Sequence, residues 1–396
     1  MGLMKAKTIS LHSLRSVLLN HLLLPVVALT LLTAGSVSSQ QTEPQAQATP
    51  SAAPAPRPVI DVCFVLDTTG SMSGLIESAK QKIWGIADLI ARRQPAPVVR
   101  FALVGFRDRG DAYVTQITPL TEDLDAVYAS LLKFKAEGGG DAPESVNQAL
   151  HEAVTKLEWS KAGPARKLVF LAGDAPPHLD YPNDVPYTVT CALAEKRGIR
   201  INTLRCGSDG DTEKHWTAIS ELASGQFVSI PADGGSRLIE TPFDKEMVAV
   251  SAQLNATVIA YGTAEQQGMC LAKCANAHYG SAEQIASRAS WNSRGGKVQA
   301  ISGNEDLTLL LQNGTLKPAD IKKESLPAEL KEADAAKLAE VIAERTKARA
   351  ALQERLTALT AQRDQWLASP AAKALIKTST FDSRINSMLA AQLGGC

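Results

Sequence analysis

The 396-residue sequence has no excess of either charge, with 41 Lys and Arg against 41 Asp and Glu. A protein that grips nucleic acid by neutralising phosphates needs a basic excess on some face, so the balance argues against that class. Charged residues make up 21% and hydrophobic residues 45%, an ordinary globular composition. No G-x-x-x-x-G-K-[ST] run exists to cradle phosphates, and no G-x-S-x-G marks a serine nucleophile. The chain has one Asp-Thr-Thr-Gly and no Asp-Thr-Gly, which excludes the paired carboxylates of an aspartic protease. Only six His occur, two of them (His12 and His21) near the N-terminus, so a catalytic base is in short supply.

What the N-terminus does contain is Lys5, Lys7 and Arg15, then Leu22–Leu32 (LLLPVVALTLL), then the small-residue stretch TAGSVSSQ. This order describes a secretory signal peptide over residues 1–38, with Ala34 and Ser36, or Ser36 and Ser38, before the cut. The apolar core falls short of the ~18–20 residues that span a bilayer, so no stable membrane insertion is expected after cleavage. No Cys lies nearby to make a lipoprotein signal. The expected location is secreted, or periplasmic if the source is a Gram-negative bacterium. Residues 39–58, rich in Pro, Ala and Gln, read as an extended linker.

The six cysteines (Cys63, Cys191, Cys206, Cys270, Cys274 and Cys396) all follow the signal. Sequence does not choose among their pairings. Cys63 falls inside an apolar run and reads as a buried thiol. Cys270 and Cys274, in MCLAKCANAH, read as neighbours on adjacent turns of a helix in preference to a zinc site, which would need a fourth ligand.

From residue 59 onward, short apolar runs alternate with amphipathic stretches. VIDVCFVL, VRFALVGFRD, RKLVFLAG, IRINTLRCG and QFVSIP read as strands, and AYVTQITPL as a shorter one at an edge. Helices are expected over Leu75 to Arg93, 122–135, 143–158, TVTCALAEKRGI and HWTAISELASG. The alternation implies an α/β domain over 59–240 built on a doubly wound, mostly parallel sheet. Residues 241–396 read as mainly helical. Between 338 and 366 a four-three spacing marks an apolar seam broken by three arginines, which fits a helical hairpin or a helix packed on a neighbour.

In doubly wound sheets ligands sit beyond the carboxyl ends of the strands. Three polar loops fall there: DTTGSMSG after the first strand, GGGDAPES before a helix, and LAGDAPPHLD after a later strand. Asp67, Thr69 and Ser71 alternate, so all three side chains can face one centre. Asp141 or Glu144 from the second loop and Asp174 from the third complete an oxygen-only set, which suits a hard divalent cation: Mg²⁺ first, Ca²⁺ or Mn²⁺ as alternatives.

DTTGSM after IDVCFVL, with Asp174 in VFLAGDAPPH, resembles the metal-ion-dependent adhesion site of von Willebrand factor type A domains. Thr69 stands at the first hydroxyl position of that family's Asp-x-Ser-x-Ser pattern. The second loop, GGGDAPESVNQAL, is similar to the Asp-x-Pro-Glu loop of integrin β A-like domains, which makes Glu144 the preferred ligand and Asp141 its neighbour. Ser73 and Gly74 replace the acidic pair of an adjacent second site. The resemblance implies that Thr69 and Ser71 contact the ion, with Asp67 and Asp174 acting through water or orienting the hydroxyls. It also implies a protein partner whose Asp or Glu carboxylate completes the shell, and a non-enzymatic, adhesion-type role. Two other readings remain at this stage: a metal-dependent hydrolase using the same cluster, and a scaffold acting through its helical tail. Arg107, Asp108 and His178 are expected at the rim. The tripeptide Arg109–Asp111 (RGD) reads as a solvated turn.

Overall fold

The computed structural model describes residues 57–140, 142–161, 165–232, 239–294, 299–375 and 381–393. The expected signal peptide, most of the linker, Asp141 and Cys396 lie outside the described residues. Ala55–Cys396 form one compact unit.

Its centre is a sheet built from runs too apolar to face water. In chain order, β1 (Val59–Asp67) leads through a 3₁₀ turn to α1 (Ser73–Ala91), followed by β2 (Val98–Phe106), β3 (Thr115–Thr121), α2 (Leu124–Lys133) and α3 (Val146–Thr155). Then come β4 (Arg166–Gly173), α4 (Tyr187–Lys196), β5 (Ile199–Cys206), α5 (Gly210–Leu222) and β6 (Phe227–Ile230). Among the described residues the strands lie in the order β3-β2-β1-β4-β5-β6. All neighbouring pairs are parallel except β2 with β3. The half-exposed β3 closes one edge, as its mixed polar sequence leads one to expect.

Alternate residues of β1 serve opposite faces. Val62, Phe64 and Leu66 join α1 and α2 in one core, whereas Cys63 and Val65 join α3, α4 and α5 in the other. Cys63 is a buried free thiol, pushed up from its usual range by burial. From β1 the chain moves outward to β2 and β3, and from β4 it moves the other way to β5 and β6. The strands β1 and β4 therefore flank the topological switch point, where connecting loops diverge and leave a crevice.

The remainder is helical: α6 (Asp244–Asn255), α7 (Ala264–Asn276), α8 (Ala282–Asn292), α9 (Leu307–Gln312), α10 (Ala328–Lys331), α11 (Ala335–Leu367), α12 (Pro370–Leu375) and α13 (Phe381–Leu393). Cys270 and Cys274 sit on adjacent turns of α7, as expected. Buried charge pairs fasten this region to the sheet domain. Arg288 on α8 forks onto both oxygens of Asp125 at 2.8 and 3.0 Å, and Lys273 reaches Asp123 at 2.5 Å and Glu305 at 2.8 Å. Such pairs are strong only when every lone pair finds a donor. Asp125 meets that condition by also accepting from the Ser302 N–H at 2.7 Å. Ile385, Met388, Leu389 and Leu393 of α13 insert into the same core as α1 and β1.

The seam of α11 is real, and its arginines are part of it. Arg349 is fully buried and donates to Asp306 at 2.6 Å and to Thr257 Oγ1 at 2.8 Å. Arg363 donates to Asp244 at 2.9 Å. Among the described residues no helix is long and apolar enough to cross a membrane.

Candidate metal centre

Asp67 ends β1 and is 1% exposed. The chain turns immediately after it, so the Thr69 N–H and hydroxyl both donate to Asp67 Oδ1, at 2.9 and 2.6 Å. Thr69 Oγ1 lies 3.4 Å from Ser71 Oγ. Thr69, at the N-cap of the 3₁₀ turn, makes no side-chain cap bond, and Ser71 lies within that turn and not at the N-cap of α1, which is Met72. A serine or threonine at an N-cap ordinarily makes such a bond. Here Asp67, Thr69 and Ser71 face one another instead.

The second loop arches over the first. The Gly70 N–H donates to Gly138 O at 3.2 Å. Gly139 has φ +82°, and a Cβ there would meet Thr69 Cβ at 3.2 Å and Glu144 Oε1 at 3.5 Å. Only glycine adopts that conformation in that space without strain. The third loop is stitched to the second: the Glu144 N–H donates to Pro176 O at 2.9 Å, and the His178 N–H to Glu144 O at 3.0 Å. Gly173 brings the end of β4 against β1 so closely that a Cβ would lie 2.9 Å from Asp67 Cβ. Half-buried Asp174 follows directly. The structure thus gathers Asp67, Thr69, Ser71, Glu144 and Asp174 at one corner, and Asp141 falls outside the described residues.

The electrostatics of this corner are one-sided. Glu144 is 3% exposed, and its Oε2 has no hydrogen-bond partner among the described residues. Burial, followed by the charges of Asp67, Asp108, Asp111 and Asp174, pushes its carboxyl up to about 9. Burial likewise raises Asp67 to about 7, against the lowering effect of the two Thr69 hydrogen bonds. The nearby Arg107 does not neutralise them: its guanidinium donates to the carbonyls of Thr68 (3.1 Å) and Lys135 (2.8 Å). Among the described residues no three His, Cys, Asp or Glu side chains alone close on a point that holds a metal. A shell here must combine carboxylates with hydroxyls. The residues present fit a hard divalent cation on chemistry, since every candidate donor is oxygen and the buried Glu144 Oε2 has no partner among the described residues.

Arg107, Asp108 and His178, expected at the rim, are buried, at 4%, 5% and 7% exposure. Asp108 accepts from Ser145 Oγ at 2.9 Å and Tyr181 OH at 2.7 Å. His178 stacks on Tyr181, its Nδ1 2.8 Å from Asp180 Oδ1, and its Nε2 lies 3.3 Å from Asp108 Oδ2 without hydrogen-bond alignment. The RGD turn is also not merely solvated. Asp111 accepts from the Asp108 N–H (3.2 Å) and the Gly139 N–H (3.2 Å), which pins the arch, while Arg109 pairs with Asp184 and covers the Tyr181 ring. Sequence reasoning does not single out Ser145 or Tyr181. They meet Asp108 across 37 and 73 residues, so no local spacing marks them.

An α/β sheet carrying hydroxyls and carboxylates at its switch point defines a binding domain with a metal-type corner. Residues 61–241 match the family model of the von Willebrand factor A domain. Residues 61–241 thus carry a von Willebrand factor A domain, with the corner inside that segment and a helical region after it. It is 38% identical over 99 residues to rat von Willebrand factor A domain-containing protein 7, covering 24% of this chain and 10% of the relative. The human protein of that name is 37% identical over the same length. The matched segment thus spans about a tenth of these relatives' length. Among solved structures, the SpRpn10 VWA domain is 16% identical over 44% of this chain and 88% of its own, with a TM-score of 0.34. Proximal thread matrix protein 1 from the mussel byssus, solved with a zinc-occupied MIDAS motif, is 18% identical over 43% of this chain and 41% of its own, with a TM-score of 0.34.

Proposed function

We propose that this chain is an exported, non-enzymatic binding protein whose A domain holds a divalent cation and through it docks an acidic side chain of a protein partner. Thr69 and Ser71 supply hydroxyl oxygens, Asp67 and Asp174 orient them or bind through water, and Glu144 supplies compensating charge. Mg²⁺ is the first choice, given the small, hard, oxygen-only set, with Ca²⁺ or Mn²⁺ as alternatives. Few formal charges on the ion leave it electrophilic toward a partner's Asp or Glu. The observation that carries this reading is Glu144: a buried carboxylate, unpartnered at Oε2, beside two hydroxyls not engaged in capping. The non-enzymatic reading rests on the small number of histidines, six in the sequence with two near the N-terminus. Export rests on the basic and apolar N-terminal sequence.

Titration of the full chain with Mg²⁺, Ca²⁺ and Mn²⁺ by calorimetry tests the proposal. At least one ion binds the native chain, and Asp67→Ala, folded by circular dichroism, weakens that binding tenfold or more. Equal binding by the folded variant would sink the reading.

A further inference from the structure

At the opposite pole of the sheet lies a cavity of about 700 Å³. Its floor is Val98 and Val99 at the amino end of β2, and its walls come from Trp291 at the end of α8 and from the loops around α9. Nine residues of β2 separate it from the corner, about 25–30 Å at strand rise. The volume falls in the range of small-molecule sites.

The charged groups lining this cavity already have partners in the protein. Asp123 accepts from Lys273, and Arg294 pairs with Asp88 and Asp364. Arg57 donates to the carbonyls of Ala96 (3.0 Å) and Pro97 (2.9 Å). Glu122 lies in the field of Arg100. The neutral groups are different. The side chains of Asn304 and Gln312 are exposed and make no hydrogen bond among the described residues. Gln299 uses its Nε2 on Ser302 Oγ at 3.3 Å, leaving its carbonyl oxygen open. Half-buried Trp291 is held edge-on against Phe101, with ring centroids 6.0 Å apart. What remains for a ligand is a set of neutral amides, each able to donate and accept, around a fixed indole. Arg294 is matched by carboxylates and Asp123 by Lys273, Arg57 keeps its charge but spends Nε and one amino nitrogen on carbonyls, and an apolar ligand would strand the amides.

We infer that this cavity binds a neutral, polyhydroxylated ligand, a short oligosaccharide, with its C–H face against Trp291 and its hydroxyls on Gln299, Asn304 and Gln312. This second site stands independently of the metal corner.

The test is an array of neutral hexose, pentose and N-acetylhexosamine oligomers probed with the full chain, followed by calorimetry on the best binder. A neutral oligomer binds, and the double variant Asn304→Ala/Gln312→Ala, altered only at exposed positions, weakens it at least tenfold. Trp291→Phe, which keeps packing against Phe101, weakens it severalfold. Chelator and Asp67→Ala leave it unchanged. Three results would overturn the inference: no neutral oligomer binds, affinity is unchanged in the double variant, or binding is lost with chelator, which would place the sugar at the corner. Preference for sulfated oligomers over neutral ones would do the same.

Discussion

Asp67 and Glu144 are carboxylates raised chiefly by burial, with the charge of Asp174 adding to Asp67 and that of Asp67 adding to Glu144, and the direction of that shift sets how stability depends on pH. Glu144 has an ordinary value of 4.5 and a folded value of about 9; for Asp67 the values are 3.8 and about 7. Below the lower values both states hold the protons and the contribution is complete. As pH rises toward 9 the unfolded chain releases protons that the folded chain retains, so stability falls across that window. Chelated protein is therefore predicted to melt at progressively lower temperature from pH 5 to pH 9. Glu144→Gln flattens that slope and raises the melting temperature at pH 8, while Mg²⁺ raises it for the native chain far more than for the variant. Calorimetric scans with and without Mg²⁺ decide this, and identical slopes for the two proteins would refute it. At this scale the sequence was only partly legible. Asp67, Thr69 and Ser71 announce themselves by alternation at the end of an apolar run, and Glu144 by its loop. The roles of Asp108 and Asp111 did not show, because a carboxylate's function beside a site depends on loops that meet only after folding.

At the scale of elements, α11 shows how a charged residue can belong to an apolar seam. Arg349 and Arg363 read as interruptions in the sequence, since their acidic partners lie 43 and 119 residues away. Strands such as IDVCFVL were easier to recognise, because a fully buried strand needs only a local run of apolar residues. Arg349→Met leaves Asp306 buried without its cation and is expected to cost about 3–5 kcal/mol. Adding Asp306→Asn keeps the oxygen that accepts from the Thr308 N–H and removes the stranded charge. The double variant should therefore recover much of that loss. Urea denaturation of both proteins measures it, and a double variant no more stable than the single would contradict the account.

For the whole molecule, the change of sequence pattern near residue 240 does not mark an end of packing. Helices α8 and α13 pack on α1, and the amides of Gln392 and Asn202 exchange hydrogen bonds at 2.6 and 3.1 Å inside the protein. Deleting residues 241–396 uncovers the apolar face of α1 that these helices shield. The truncated chain is predicted to bind a hydrophobic dye and to lose cooperative unfolding, whereas the full chain unfolds in one transition. A truncated chain with a sharp melt and no dye binding would show that the sheet domain needs no such cover.

The docking of α13 also governs timing. Arg93, at the end of α1, donates to Leu393 O at 2.7 Å, a contact that closes over 300 residues of chain. At ~5–20 residues per second of synthesis, the first-made half of that core waits on the order of tens of seconds for its last helix. Throughout that interval the nascent polypeptide has an unfinished interior, its α1 and β1 side chains waiting for Ile385, Met388, Leu389 and Leu393 to close over them.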